Sequence, residues 1–113
     1  MLAKKHRLRH TRDFDQVFSG GKSAYSNILG IKTIENHLGI NRFGILVSTK
    51  ISKKAVVRNR IKRKIRGALK SLESKLENGY DFVILTLPPI IDADFFIICQ
   101  DLDNTFKKLK ING

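Results

Sequence analysis

The run YDFVILTL, Tyr80 to Leu87, places the strongest constraint on the fold, because a stretch this apolar has to be covered. It has strand length, follows a helical pattern and is closed by Pro88 and Pro89, so it reads as an interior strand of a sheet covered by helices. Helices are legible on both sides of it. Upstream, Val57, Ile61, Ile65, Ala68, Leu69, Leu72 and Leu76 share one face at steps of three and four, with Ser52 as the expected N-cap and Gly79 as the end. Downstream, Phe95, Ile98, Leu102, Phe106 and Leu109 repeat at helical spacing between Ala93 and Lys110. Asp92 is expected to cap that helix, Asp101 and Asp103 to lie on its outer side, and lysines to fill its last turn.

The N-terminal half predicts a short helix with Thr11 as N-cap, Asp13 in the first turn, and Phe14, Val17 and Phe18 as an aromatic stripe before Gly20 and Gly21. Strands are expected at Lys22 to Tyr25, within NILGIKTIE, and in RFGILVS, Arg42 to Ser48. The last two are expected to pair as a hairpin through NHLGIN. With 113 residues and no repeat, linker or low-complexity tract, residues 1–113 read as a single domain.

Packing does not explain the other side of the long helix. Eight Lys and Arg lie between Lys53 and Arg66, and no acidic residue occurs between Glu35 and Glu73. Several of these cations fall at the helix N-terminus, where the dipole disfavours them. Asn59, Arg63, Arg66 and Lys70 point away from the apolar stripe, Arg60 and Lys62 sit on opposite flanks, and Arg58 lies at its margin. A bound phosphate backbone would neutralise these charges, whereas a merely solvated face would be interspersed with acids.

Lys4, Lys5, Arg7, Arg9 and Arg12 form a second basic cluster, read as a flexible arm over residues 1–10 that could wrap a nucleic acid. The whole chain carries 22 Lys and Arg against 10 Asp and Glu, a formal charge of +12, which points to a polyanionic partner. Phe14 and Phe18 could stack unpaired bases beside such a positive groove or could simply be core, and Tyr25 is in the same position.

Other chemistry finds little support. Cys99 is the single cysteine, so it forms no intramolecular disulfide or thiolate metal site; it reads as a buried, inert thiol, in keeping with a reducing, cytoplasmic setting. No apolar run reaches the length of a membrane span, and the basic start lacks the serine-rich amphipathic body of an organellar targeting peptide. His6, His10 and His37 could serve a nuclease only if the fold brought them together, and no spacing requires that. Asp92, Asp94, Asp101 and Asp103 read as solubilising surface, and neither a phosphate-cradling glycine loop nor a nucleophile signature is present. No catalytic residue and no metal ligand is expected on the chain.

The segment RFGILVSTKISKKAVVRNRIKRKIRGAL resembles the signature of the bacterial ribonuclease P protein subunit: a glycine-containing strand, a basic turn, then a helix with Arg-Asn-Arg, an apolar residue and Lys-Arg. LRHTRDFDQVFSGGKSAYS is similar to that family's opening and GYDFVILTLPP to its penultimate strand, so the likeness runs from about Leu8 to Phe106. The resemblance implies an α+β fold, a two-layer α/β sandwich in the order αβββαβα, with a left-handed crossover into the basic helix.

It also implies a catalytic RNA that removes the 5′ leader of precursor tRNA with magnesium, which the RNA holds, while the protein binds that RNA and the leader. By match to the motif, Arg58, Asn59, Arg60, Lys62, Arg63 and Arg66 would contact RNA, with Lys53 and Lys54 counted with them; Phe14, Phe18, Tyr25 and Lys50 would receive the leader. The implied partners are the catalytic RNA and precursor tRNA, with no membrane and no protein partner required. A basic helix suits phosphates and shape, since an A-form major groove is too narrow for side-chain reading. Two departures concern contacts at the end of the helix: Gly67 stands where the family often has an acidic or amide residue, and Leu87 and Pro88 follow the strand where a basic residue is usual. Two other readings stay open, a structural RNA-binding protein or RNA chaperone of ribosomal type, and a stand-alone histidine nuclease.

Overall fold

The computed structural model describes residues 6–110. Its elements are α1 (Thr11–Gly20), β1 (Lys22–Tyr25), β2 (Leu29–Glu35), β3 (Arg42–Leu46), α2 (Ala55–Leu72), β4 (Tyr80–Thr86) and α3 (Phe95–Lys108), so the order is the expected αβββαβα. The four strands form one sheet in the order β1-β2-β4-β3.

β4 is the interior strand that its composition demands. It pairs antiparallel with β2 over seven residues, Leu29↔Thr86 to Glu35↔Tyr80, and parallel with β3 over five, Arg42↔Asp81 to Leu46↔Leu85. The expected hairpin of β2 with β3 is therefore wrong: β4 lies between them. The reason is burial. β4 is covered on both faces from Asp81 to Ile84, while β3 exposes Leu46 and starts on a charged residue, so the more apolar strand takes the centre. β3 and β4, being parallel neighbours, are joined by a crossover through α2.

One face of the sheet carries the main core. Leu29, Ile31, Phe43, Phe82 and Ile84 pack there against Ile61, Ile65, Leu69 and Leu72 of α2 and Ile98, Leu102 and Phe106 of α3. Phe82 is its centre, stacked on Phe43 at 5.2 Å between ring centroids and meeting Phe106 edge-on at 5.3 Å. The other face is half covered: α1 lays Val17 on Val83, with Leu8, Phe14, Ile34 and Leu85 around them.

Burial decides that α2 folds despite its charge. Like-charge pairs one turn apart, such as Arg58 with Lys62 and Lys62 with Arg66, each cost about 0.2–0.5 kcal/mol. Ile61, Ile65, Leu69 and Leu72 are almost wholly buried, and each contributes about 1.5–3 kcal/mol.

The helix ends differ from the sequence expectations. α1 starts at Thr11 with His10 as N-cap and no side-chain cap bond. α2 starts at Ala55 with Lys54 as N-cap; Ser52 instead caps the turn before it, its Oγ accepting from the Lys54 N–H at 3.1 Å. The helix ends at Leu72, passes into a 3₁₀ turn over Glu73–Lys75, and Gly79 turns into β4 at φ +98°. α3 is capped by Asp94 rather than Asp92, Oδ1 accepting from the Ile97 N–H at 2.9 Å.

Asp101 does not lie on the outer side of α3: Ser26 Oγ donates to its Oδ2 at 3.1 Å, which ties the β1–β2 turn to that helix. Phe95, expected on the buried stripe, is the first residue of α3 and is 46% exposed; its ring lies over Gly67, where a Cβ would come within 3.1 Å of it. Gly67 thus has a packing reason that its helix propensity hides.

The stretch expected as a flexible arm is docked in its described part. Arg7 bridges Phe43, the Leu8 N–H donates to the Phe43 carbonyl at 2.8 Å, and His6 Nδ1 donates to the Asn41 carbonyl at 2.7 Å. A strand edge with unpaired backbone groups provides that anchor, and Leu8 is buried by it. Lys4 and Lys5 lie outside the described residues.

Candidate nucleic-acid interface

The basic residues of α2 divide by position around the helix. Asn59 and Arg63 lie opposite the buried stripe and are exposed, as is Lys70. Arg58, Lys62 and Arg66 fall on the flank toward β3 and the N-terminal segment, and Arg60 and Lys64 on the flank toward α3. Arg58 is fixed by donation from Nη1 to the Ser52 carbonyl at 2.9 Å, and Lys64 Nζ donates to the Ala93 carbonyl at 3.3 Å. Lys53 and Lys54 are exposed at the helix start. Among the described residues the ion pairs are Arg42 with Asp13 and Asp81, and Lys107 with Asp103, so no carboxylate is paired with a cation of α2. The face keeps its whole charge for a ligand.

The open part of the opposite sheet face presents aromatic rings. Phe14 is half-buried with its ring against Gly44, where a Cβ would lie 2.5 Å from two ring carbons. Tyr25 lies over Gly30 in the same way, at 2.4 Å. Two glycines on the same face, one on each strand flanking β4, thus let rings lie flat on the backbone, which any larger residue would prevent. Phe18 is 43% exposed and Tyr25 46% exposed, and Lys32 Nζ stands 5.9 Å from the Phe18 ring centroid and 6.0 Å from that of Tyr25. Rings on either side of a cation form a platform suited to flat bases and a charged backbone. Phe14 and Phe18 therefore differ: Phe14 is partly core, while Phe18 is mostly surface. Lys50 is exposed in the turn closed by the Ile51 N–H on the Ser48 carbonyl.

An ion network holds α1 over this face. Arg42 donates to Asp81 through Nε at 2.8 Å and Nη2 at 2.7 Å, and its Nη1 reaches Asp13 of α1 at 3.5 Å. Asn36 Nδ2 also donates to Asp81, at 2.8 Å. The hydrogen bond to Asp81, together with the charges of both carboxylates, raises the Arg42 guanidinium above its ordinary value even though burial opposes this.

Sequence reasoning missed Lys32 and Arg42. Period-two alternation in LGIKTIE, with Leu29, Ile31 and Thr33 buried, was the signal that could have put Gly30 and Lys32 together on the other face. Arg42 gave no such signal, because its partners lie 29 and 39 residues away. The histidines remain apart in role: His6 is bound to Asn41, His10 caps α1, and His37 turns a loop at φ +59°. Cys99 is half-buried against the core, and burial pushes its thiol up. Among the described residues no three His, Cys, Asp or Glu gather as a metal site, and no helix is long and apolar enough to cross a membrane.

Comparison with known proteins adds to this geometry. The family model for ribonuclease P matches residues 2–110. The chain belongs to the ribonuclease P protein family. Among its relatives, the ribonuclease P protein component of a Synechocystis species is 38% identical, covering 97% of this chain and 90% of the relative. That of a Picosynechococcus species is 43% identical over 89% and 87%. The structure of the Staphylococcus aureus RNase P protein aligns with a TM-score of 0.87 at 28% identity, covering 96% of this chain and 98% of that one. For the Thermotoga maritima RNase P protein the values are 0.82 and 29%, over 90% and 96%. Family membership brings tRNA processing and RNA binding within a ribonucleoprotein as the coarse function.

Proposed function

We propose that this chain binds the catalytic RNA of ribonuclease P through α2 and receives the single-stranded 5′ leader of precursor tRNA on the aromatic face. The observation that carries the reading is the pairing of two surfaces of different chemistry: a helix face with no carboxylate partner among the described residues, and a lysine between two exposed rings. Phosphates of a folded RNA suit the first, and unstacked bases suit the second. Lys53, Lys54, Arg58, Asn59, Arg60, Lys62, Arg63 and Arg66 are assigned to RNA, and Phe14, Phe18, Tyr25, Lys50 and now Lys32 to the leader. The phosphodiester chemistry, and the magnesium it needs, belong to the RNA; the protein positions the substrate. The setting is the cytoplasm, and the partners are the two RNAs.

The leader assignment has a direct test. Phe18→Ala removes a ring that stacking would use at about 1–3 kcal/mol per base, and its exposure means the fold loses little. The reconstituted enzyme should lose about fivefold to a hundredfold of its preference for leader-bearing over leaderless precursor, while its thermal unfolding midpoint stays close to wild type. An unchanged preference would remove Phe18 from the leader site.

A further inference from the structure

The N-terminal segment does more than cover the edge of β3. Side chains of an extended segment alternate, so Leu8 descends to Val17 and Val83 while Arg7 and Arg9 are left beside Arg66 of α2. The three arginines line a cavity of about 270 Å³ whose other walls include Phe14, Phe43 and Gly44, and among the described residues no carboxylate lines it. Arg7 Nε is shut off from solvent and has no hydrogen-bond partner among the described residues. A charged donor buried without an acceptor, next to two like charges, is a costly arrangement for the protein by itself.

We propose that this cavity binds one phosphodiester group of RNA, with Arg7, Arg9 and Arg66 as its ligands. Guanidinium forks match the paired oxygens of a phosphate, and such a group would offset the three charges that line the cavity and, with a turn of the Arg7 side chain, give its Nε an acceptor. Arg66 belongs to the basic flank of α2 and Phe14 to the aromatic face, so a phosphate here sits at the joint between the two surfaces. The inference rests on the RNA-binding reading and adds to it a built site, with residues 7 and 9 as specific ligands rather than a loose basic tail.

The test uses Arg7→Gln, Arg9→Gln and Arg7→Lys, with Lys75→Gln as a control for loss of one exposed charge elsewhere. Affinity is measured against salt for the full-length protein with the catalytic RNA alone, and for the reconstituted enzyme with leader-bearing and leaderless precursor. Arg7→Gln and Arg9→Gln should each weaken binding about tenfold and lower the slope of log K against log salt by about 1. Lys75→Gln should leave both near wild type. Arg7→Lys should keep the slope and recover only part of the affinity, since an ammonium lacks the fork.

Loss with the catalytic RNA alone assigns the phosphate to that RNA; loss confined to leader-bearing precursor assigns it to the leader. A purely structural Arg7 would lower the unfolding midpoint without moving the salt slope. Arg9→Gln, at an exposed position, reads the site even if Arg7→Gln does not fold. Wild-type affinity and slope in Arg9→Gln and in a folded Arg7 variant would overturn the site. Salt-independent binding by the wild type would instead overturn the RNA-binding reading beneath it.

Discussion

Raising salt from 50 to 200 mM should weaken binding of this protein to the catalytic RNA by about 10³ to 10⁵, as expected for roughly 6 to 10 phosphate contacts. Among the described residues the charges of α2 have no carboxylate partners to lose, so their interaction with a polyanion releases counterions. Arg63→Ala should lower the log–log slope by about 1 and weaken binding uniformly across RNA sequences. Arg63 is exposed and opposite the buried stripe, so the variant should fold as the wild type does. A slope that stays the same in Arg63→Ala would take that residue off the interface, and a wild-type affinity indifferent to salt would remove the phosphate contacts altogether.

Arg42→Ala should destabilise the protein by about 3–5 kcal/mol in urea unfolding, the usual loss when one partner of a buried ion pair is removed. Asp81 would be left with its side chain 3% exposed and, among the described residues, Asn36 alone donating to it, and Asp13 of α1 would lose its cation. Two effects should separate in the Arg42→Lys variant, which keeps the charge but cannot reproduce the two-pronged bond to Asp81, and which should recover only part of the loss. Because α1 carries Phe14 and Phe18, loosening it should also reduce leader preference in variants that remain folded. A loss under 1 kcal/mol would mean that the network contributes little, and that the apolar contacts of Val17 and Phe14 hold the helix.

The parts of the fold that were legible came from strong periodicity. The stripe from Val57 to Leu72, the apolar run at Tyr80 and the repeat from Ile98 to Phe106 each fix an element by local pattern, and each is present, although the helix stops short of Leu76. The strand partners were not legible. RFGIL and LGIKTIE look like a hairpin because they are neighbours in sequence, and nothing local to either shows that a strand more than thirty residues later divides them. Helix starts failed for a related reason: Ser52 and Asp92 are good caps by type, but the chain uses Ser52 for a preceding turn and Asp94 for α3.

The candidate site was legible where charge or spacing marks it and hidden where contacts are long-range. The basic side of α2 follows from counting positions around a helix. The two classes of aromatic do not: Phe14 and Phe18 share a stripe, yet Gly44 draws one ring onto the sheet while the other stays exposed beside Lys32. Arg7 looked like one cation of a mobile tail, and only the bridge to Phe43 shows it fixed beside Arg66.

Cleavage of a precursor tRNA by a bacterial ribonuclease P RNA at low magnesium, with and without this protein, tests the central claim most directly. Strong stimulation that requires the 5′ leader is the predicted result, with no cleavage by the protein alone. Tight, salt-sensitive RNA binding without stimulation, or equal stimulation of leader-bearing and leaderless substrates, would contradict it and leave a structural RNA-binding role.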